Sequence, residues 1–401
     1  MTPQLWFGLA SLAGWVLVVG AARVVRGPFY ARFAGVILFI HSTVTVSLFP
    51  LFADAWPVVA YLQATVFAHF LSLVWARSRS LAWRVLVSIP ACFFAAGSIL
   101  ALPWAVIAAV GFEPWVPWLP YALAGVGVVQ SLWTREEEID VLLDGSIVEI
   151  DGVRRHPRGK PNGVRPLRIV QLSDPHIGPF MSSERLARIC RRAVERDPDL
   201  ILLTGDFLTM ESQADPSLLE CALAPLRPAA GRTFACFGNH DHEAPELVRH
   251  ALESAGVKLL VDEEAVVETP AGPVQILGMD FAWRARRDRM AALCERFPRR
   301  ADHLRVVLLH DPGAFRHLPE GHGDIVFSGH THGGQVGLVS LGLSWTFLSG
   351  LSSMPDHGLW ARGRDRLYVH RGTGHYGFPL RLGVPAERSL VNLYWPGSRT
   401  G

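Results

Sequence analysis

Ile325-Val326-Phe327-Ser328-Gly329-His330-Thr331-His332-Gly333-Gly334-Gln335 is the stretch that decides the fold. A short apolar run ends at a glycine, and two histidines follow with one residue between them. Such a run bounded by turn residues reads as a buried strand, too short to be a helix. The i, i+2 spacing lets both rings point to one side of an extended chain. Four upstream runs end in the same way. Leu167-Arg168-Ile169-Val170-Gln171-Leu172-Ser173 stops at Asp174-Pro175-His176, and Leu200-Ile201-Leu202-Leu203-Thr204 stops at Gly205-Asp206. Residues 233–237 stop at Gly238-Asn239-His240-Asp241, and residues 305–309 at His310-Asp311-Pro312. Helical stretches separate these runs, so the chain from residue 166 onward reads as a layered α/β domain. Its strands carry Asp, His or Asn at their C-terminal ends, the edge at which open α/β sheets build sites.

Neutral imidazoles, carboxylates and an amide oxygen, without a thiolate, suit hard or borderline divalent metals. Asp174, His176, Asp206, Asn239, His310, His330 and His332 fill two adjacent sites if one carboxylate bridges them. Two metals a few Å apart bind a phosphoryl oxygen, lower the pKa of a bridging water and hold attacking and leaving oxygens in line. The glycines before Asp206, Asn239 and His330 allow tight turns and close backbone approach.

Working outward, residues 134–165 form a junction. It holds the acidic run Glu136-Glu137-Glu138, read as solvated surface, and an alternating segment from Val141 to Ile150. That segment is expected to be an edge hairpin turning at Asp144-Gly145. A basic stretch containing Pro and Gly follows.

Residues 1–133 have a different character. They carry six basic groups and only two acidic ones, Asp54 and Glu113, and they hold nine of the 13 tryptophans but only two of the 16 histidines. Apolar stretches run over about residues 4–22, 33–53, 57–76, 85–110 and 117–133. A bilayer core takes roughly 20 apolar residues as a helix, so about five spans are expected, the last one short. No charge lies at their centres, which speaks for an anchor rather than a transporter. His41 and His69 are expected to be hydrogen-bonded packing residues. The first stretch lacks a basic leader and reads as a retained anchor rather than a cleaved signal. Arginines flank the first and third connections, and another basic group follows the fifth span. By the positive-inside rule, this alternation puts the N-terminus outside and residues 134–401 in the cytoplasm.

The net charge of +2 therefore averages +4 in the first third and −2 in the remainder. It gives no footprint for nucleic acid, and the apolar fraction excludes disorder. The five cysteines have no CxxC or close spacing, so neither a disulfide framework nor a cysteine zinc site is expected. They read as free thiols in a reducing compartment.

The series DPH, GD, GNHD, H and GHTH resembles the calcineurin-like metallophosphoesterase family, over about Arg168 to Trp395. The longer string SGHTHGGQ resembles its membrane-associated bacterial branch, as does the tail Gly372-Thr373-Gly374-His375-Tyr376-Gly377 … Arg381-Leu382-Gly383. UDP-2,3-diacylglucosamine pyrophosphatases of lipid A synthesis belong to that branch. The resemblance implies a four-layer αββα sandwich behind an all-α transmembrane bundle. It implies a first metal held by Asp174, His176 and His332, and a second by Asn239, His310 and His330, with Asp206 bridging. The ions implied are Mn2+, Fe2+/Fe3+ or Zn2+. His240 would stabilise phosphoryl charge and protonate the leaving oxygen. Many relatives carry GDxxD, whose second Asp orients that histidine. Thr209 stands there in this chain, which leaves a different orienter or a less activated His240.

The division expected is a bundle over 1–133, a junction over 134–165 and a catalytic domain over 166–401. The function expected is a dinuclear-metal phosphohydrolase in the bacterial inner membrane, cleaving a phosphodiester or pyrophosphate bond of a lipid-linked or nucleotide-linked amphipathic substrate. Two alternatives stand beside it. One is the same chemistry on a cyclic nucleotide or phosphoprotein, with the bundle as anchor or sensor. The other is a non-catalytic membrane scaffold, against which the intact ligand set argues. His242 reads as either a support of the site or an exposed residue. His375, Tyr376 and Arg381 are candidate phosphate contacts. Asp311 should cap the helix begun by Pro312. The arginines from 284 to 289, with Arg299 and Arg300, read as a solvated face or a leaflet-facing one.

Overall fold

The computed structural model describes residues 2–147, 152–156, 165–375 and 377–395. Contacts divide the chain into two compact units. One is Met1–Leu132 with the short segments Met210–Ala214 and Gly377–Leu382, and the other is the remainder from Trp133.

The first unit is helical. Thr2 caps its first helix, accepting from the Leu5 amide, and Pro3 sits where no amide partner is needed. Three helical stretches are long and apolar enough to cross a bilayer: Pro3–Val25, Pro28–Ser72 and Leu81–Leu100. The second and third expected spans lie in one run of 45 residues. Within it, the α-helices Pro28–Leu48 and Trp56–Ser72 are joined by the 3-10 segment Phe49–Ala55, which departs from helical geometry at Phe52. The expected span 85–110 breaks after Leu100 and resumes as Leu102–Ala109, because Pro103 has no amide to give to the preceding turn. The last expected span is the 13-residue helix Leu119–Ser131. At 1.5 Å per residue it is about 20 Å long, short of a core of about 30 Å. Inside the unit, His41 bonds Ser98 Oγ at 2.7 Å and Gln63 Oε1 at 3.0 Å, and Gln63 donates to Ser11 Oγ at 3.1 Å. His69 lies 3.7 Å from the Cys92 thiol. These are the packing roles expected of the two histidines.

The second unit contains 13 strands among the described residues. They are β1 (Thr134–Leu142), β2 (Arg154–Arg155), β3 (Leu167–Leu172), β4 (Leu200–Leu203), β5 (Thr233–Ala235), β6 (Lys258–Leu259) and β7 (Glu263–Thr269). After these come β8 (Gly272–Met279), β9 (Leu304–Leu309), β10 (Ile325–Ser328), β11 (Gly358–Arg362), β12 (Asp365–Val369) and β13 (Ala386–Tyr394). They form two mixed sheets, ordered β1-β13-β3-β4-β5-β6 and β2-β11-β12-β10-β9-β8-β7.

The sheets face each other across a core that includes Ile169, Leu202, Ile276, Leu308, Phe327 and Val391. Helices cover the outer face of the first sheet, burying Leu186, Ile189 and Cys190 of Ser183–Glu195 with Leu219 and Val248. Helix Arg286–Arg296 covers the other sheet through Met290 and Leu293. Strands such as β4 and β9 are apolar on both faces because both faces are covered. β3, β4 and β5 run parallel in one sheet, and β9 and β10 in the other, so each group opens its C-terminal loops at one edge. The cysteines described are all free thiols, four of them buried.

Of the hairpin expected over 141–150, only the first residues fall in a strand: β1 ends at Leu142, pairs in parallel with β13, and residues 143–147 form no strand. The far half of the expected hairpin, residues 148–150, lies outside the described residues. Glu136 and Glu138 are exposed as expected, though paired with Arg388 and Arg196, whereas Glu137 turns in to an ion pair with Arg371 at 2.6 Å.

Candidate active site

Six of the seven proposed ligands converge as two clusters: Asp174, His176 and His332, and Asp206, His310 and His330. Two carboxylate oxygens face histidines of both clusters, Asp206 Oδ2 more closely than Asp174 Oδ1, which lies 4.0 Å from His310 Nε2. Asp206 Oδ2 lies 3.2 Å from His310 Nε2 and 3.7 Å from His176 Nε2. Asp174 Oδ1 is 3.4 Å from His332 Nε2 and 3.9 Å from His176 Nε2. The seventh, Asn239, follows β5, and its Oδ1 is buried without a hydrogen-bond partner. A buried, orphaned amide oxygen needs a donor or a cation.

The histidines are aimed from behind. His310 Nδ1 donates to Thr204 O at 2.6 Å and His176 Nδ1 to Leu208 O at 3.3 Å, which leaves each Nε2 lone pair pointing forward. His176 Nε2 then meets His332 Nε2 at 3.2 Å, a contact that needs a cation or a shared proton between the rings. No lysine or arginine pairs with Asp174 or Asp206 among the described residues. Buried carboxylates, an orphaned amide oxygen and facing imidazole nitrogens together fit divalent cations.

Electrostatics follow from this crowding. Burial raises the Asp174 carboxyl, but His332, His310 and His176 more than offset it and hold it well below the carboxylate range. Burial opposes charge on His310, yet the Asp206 and Asp174 carboxylates raise its pKa, so they favour positive charge at Nε2, whether a proton or a cation. His176 is pulled down to about 3, chiefly by burial.

Backbone geometry is forced here. Asp174, His176, Asp206, His330 and His332 all have φ between 47° and 69°. That left-handed conformation costs a non-glycine residue roughly 1–2 kcal/mol, so it persists only where the surroundings impose it. Close approach supplies the constraint. A Cβ on Gly238 would lie 2.2 Å from Asp206 Oδ1, and one on Gly329 would lie 2.1 Å from Asp174 Oδ2. The Asp241 carboxylate locks the Asp206 turn, accepting from the amides of Asp206 (2.8 Å), Phe207 (2.9 Å) and Gly238 (2.7 Å). Burial and the neighbouring Asp206 charge raise its pKa against those donors.

His240 stands beside the metal clusters, its ring 5.6 Å from that of His176 and its amide donating to Asp206 Oδ1 at 2.9 Å. Its orienter is Glu243, whose Oε1 lies 2.9 Å from His240 Nδ1. Burial would lower the His240 pKa, but the Glu243 bond and the nearby carboxylates raise it above its ordinary value. Thr209 instead donates to Ile177 O at 2.7 Å. Glu243 does not stand out in the sequence, because the GDxxD pattern places the orienter in the loop after β4. The available signal was the i, i+3 spacing within the 3-10 turn Asp241–Glu243.

Asp311 caps Pro312–His317 as expected, accepting from the Gly313 amide, and also pairs with Arg286 at 2.7 Å. His242 is half-exposed and bonds Asp280 at 2.9 Å. His375 packs edge-on against Phe180. Arg381 is buried in the helical unit, its amide donating to Gly127 O and Ser131 Oγ. Tyr376 lies outside the described residues. Of the arginines read as a face, Arg289 pairs with Asp262, Arg299 with Asp324 and Arg300 with Glu264.

Two adjacent clusters of imidazole and carboxylate at the C-terminal edge of paired sheets are the arrangement of a dinuclear metallohydrolase. Residues 167–334 match the calcineurin-like phosphoesterase family. The chain is 32% identical to phosphodiesterase YaeI of Escherichia coli (strain K12), over 57% of its own length and 82% of that protein. It is 28% identical to UDP-2,3-diacylglucosamine pyrophosphatase LpxG of Chlamydia muridarum (strain MoPn / Nigg), over 57% and 84%. A Danio rerio transmembrane protein with metallophosphoesterase domain is 29% identical over 58% of this chain and 54% of that one. The chain belongs to the calcineurin-like phosphoesterase family, and it is a hydrolase of the kind that uses two divalent metals.

Proposed function

We propose that the protein is a membrane-anchored phosphohydrolase that cleaves a phosphodiester or pyrophosphate bond in a lipid-linked or nucleotide-linked amphipathic substrate, at the cytoplasmic leaflet. The observation that carries the chemistry is Asp206 Oδ2, which faces His310 at 3.2 Å and His176 at 3.7 Å. In this reading Asp174, His176 and His332 hold one metal, Asn239, His310 and His330 the other, and Asp206 both. Bound there, the metals would supply Lewis acidity toward the phosphoryl group and activate water at neutral pH. His240 carries the proton for the leaving oxygen on Nε2 while Glu243 fixes Nδ1–H, so the ring can donate without turning. The left-handed turns hold the ligands in place before substrate arrives, which removes a reorganisation cost from the reaction.

The lipid part of the reading draws on the LpxG relative and on the three apolar helical stretches. Bundle 1–133, junction 134–165 and catalytic domain 166–401 form the proposed division, with the N-terminus outside, as the arginine alternation favours. Manganese is the first ion to test.

The decisive experiment purifies the protein in detergent, strips its metals, restores Mn2+ and compares hydrolysis of an aryl phosphodiester with that of nucleotide-linked lipids. Metal-dependent turnover with preference for the lipids is expected. Metal-independent activity, or His240→Ala indistinguishable from wild type, would overturn the catalytic assignment. Preference for soluble esters would overturn the substrate class. A reporter after residue 401 should behave as cytoplasmic.

A further inference from the structure

Between the metal-ligand turn and β11 the second unit carries a segment unlike the rest of its surface. From Gly333 to Pro355 there is no charged side chain, in a chain that is 18% charged. Six large apolar residues there stand in solvent: Leu338, Leu341 (74% exposed), Leu343, Trp345, Phe347 and Leu351 (71%). Scattered exposed leucines are ordinary, but six within 14 residues mark an interaction surface.

The segment is built, not slack. Leu338 N donates to Trp345 O at 2.9 Å and Phe347 N to Val336 O at 2.8 Å, closing a small hairpin. A turn at its tip ties Leu341, Gly342 and Leu343 amides to Leu338 and Val339 carbonyls, and Ser340 N donates to Gly383 O at 2.8 Å. Thr346, fully buried, anchors the base by donating to Asp356 Oδ2 and accepting from Ser349 N. Many of the backbone donors are thus satisfied within the domain while the apolar side chains stand outward. Entry into hydrocarbon demands that combination, because an unpaired amide there costs several kcal/mol.

We propose that the hairpin of residues 336–351 is a lipid-docking device, inserting these side chains into the leaflet beside the active site. Three observations favour a bilayer over a protein partner. The helical stretch that ends at Ser131 is only two residues from β1, so a membrane carrying the first unit is always within reach of the second. Arg155 of β2 donates to Ser344 O at 3.2 Å and pairs with the buried Asp356 at 3.0 Å, so the charge that reaches the hairpin is already neutralised. A paired charge behind an uncharged apolar tip suits entry into hydrocarbon, where an unpaired charge is costly. The third observation is location. A Cβ on Gly334, two residues past His332, would touch Leu348 at 2.8 Å, so the hairpin packs directly on the metal-ligand turn. A lipid phosphate would be met where the leaflet is opened. The idea rests on the membrane-anchored reading above, but its test reads no hydrolysis and is independent of the substrate.

The test uses the full chain in vesicles of phosphatidylcholine and phosphatidylglycerol. Native Cys221, the exposed cysteine, is labelled with an environment-sensitive fluorophore as the aqueous reference. In a Cys221→Ser background, Leu341→Cys and Leu351→Cys are labelled in turn. Both loop labels should be quenched by lipid-borne nitroxide, at a depth of about 5–10 Å below the headgroups, and shielded from iodide. The Cys221 label should show the opposite. Loop labels as open to iodide as Cys221 would overturn the proposal. Shielding that ignores nitroxide lipids and grows with protein concentration would overturn it in favour of a second copy of the chain.

Discussion

Replacing Glu243 tests whether the histidine beside the metal clusters works as an acid. Glu243 receives His240 Nδ1–H at 2.9 Å, and its side chain is 39% exposed. A hydrogen bond to a charged group is worth about 1.5–3 kcal/mol, and exposure puts this one at the low end. Glu243→Gln keeps an acceptor but loses the charge. At about 1.4 kcal/mol per decade, it should slow the proton-transfer step by roughly tenfold. Glu243→Ala frees the ring, so the loss should approach about 10²-fold, the lower end of what a positioned acid contributes. The discriminating assay varies the leaving group. With p-nitrophenolate, which departs without a proton, kcat should barely change. With an alkoxide, kcat should fall by the full factor while KM and metal content stay fixed. Equal losses on both substrates would refute the reasoning, and so would no loss on either.

Two further outcomes follow from the geometry. Gly329→Ala places a methyl group 2.0 Å from Ser173 Oγ and 2.1 Å from Asp174 Oδ2. It should lower bound metal below two per chain, read by elemental analysis of the purified protein, and a full complement would show that the β3 turn can yield. Glu387 provides a pH signature away from the metals. Burial raises its carboxyl, but Arg371 at 2.7 Å and His370 hold it down to about 2 against an ordinary 4.5. A depressed carboxyl stabilises the fold above the ordinary value and loses that contribution as pH falls through the window. Between about pH 4.5 and pH 2, thermal scans should lose roughly 3 kcal/mol of stability from this group. Glu387→Gln should flatten that slope, and an unchanged slope would assign the acid sensitivity elsewhere.

The active-site edge was legible because its chemistry is local: each ligand lies within a few residues of a strand end, and a glycine marks each close approach. Asp174, His330 and their partners therefore announce themselves in sequence, and the structure gathers six of them. What stayed hidden depends on longer range or on subtler spacing. Glu243 acts three residues beyond the histidine it serves, in a turn whose pattern is shared by countless surface loops. Residues 134–140 did not read as a strand, because the partner of β1 is β13, some 250 residues later. The helical unit resisted counting for a different reason. Apolar length alone does not reveal where Pro50 or Pro103 will interrupt a run, and a run of 45 residues reads equally as one element or two.

The order β1-β13-β3 has a consequence for the making of the protein. The strand that follows the helices emerges first and cannot find its neighbour until residues 386–394 exist. Its edge stays open through the synthesis of everything between, and so does the edge of β3, since β13 is wedged between the two. A loop of that span closes slowly, and unpaired edges invite wrong partners in the meantime. Arrival of β13 thus works as a quality checkpoint. A chain shortened just before residue 386 would carry every proposed metal ligand and still be left with two sticky edges. It should be recognised as unfinished by whatever surveys nascent proteins, rather than persist as a weaker enzyme.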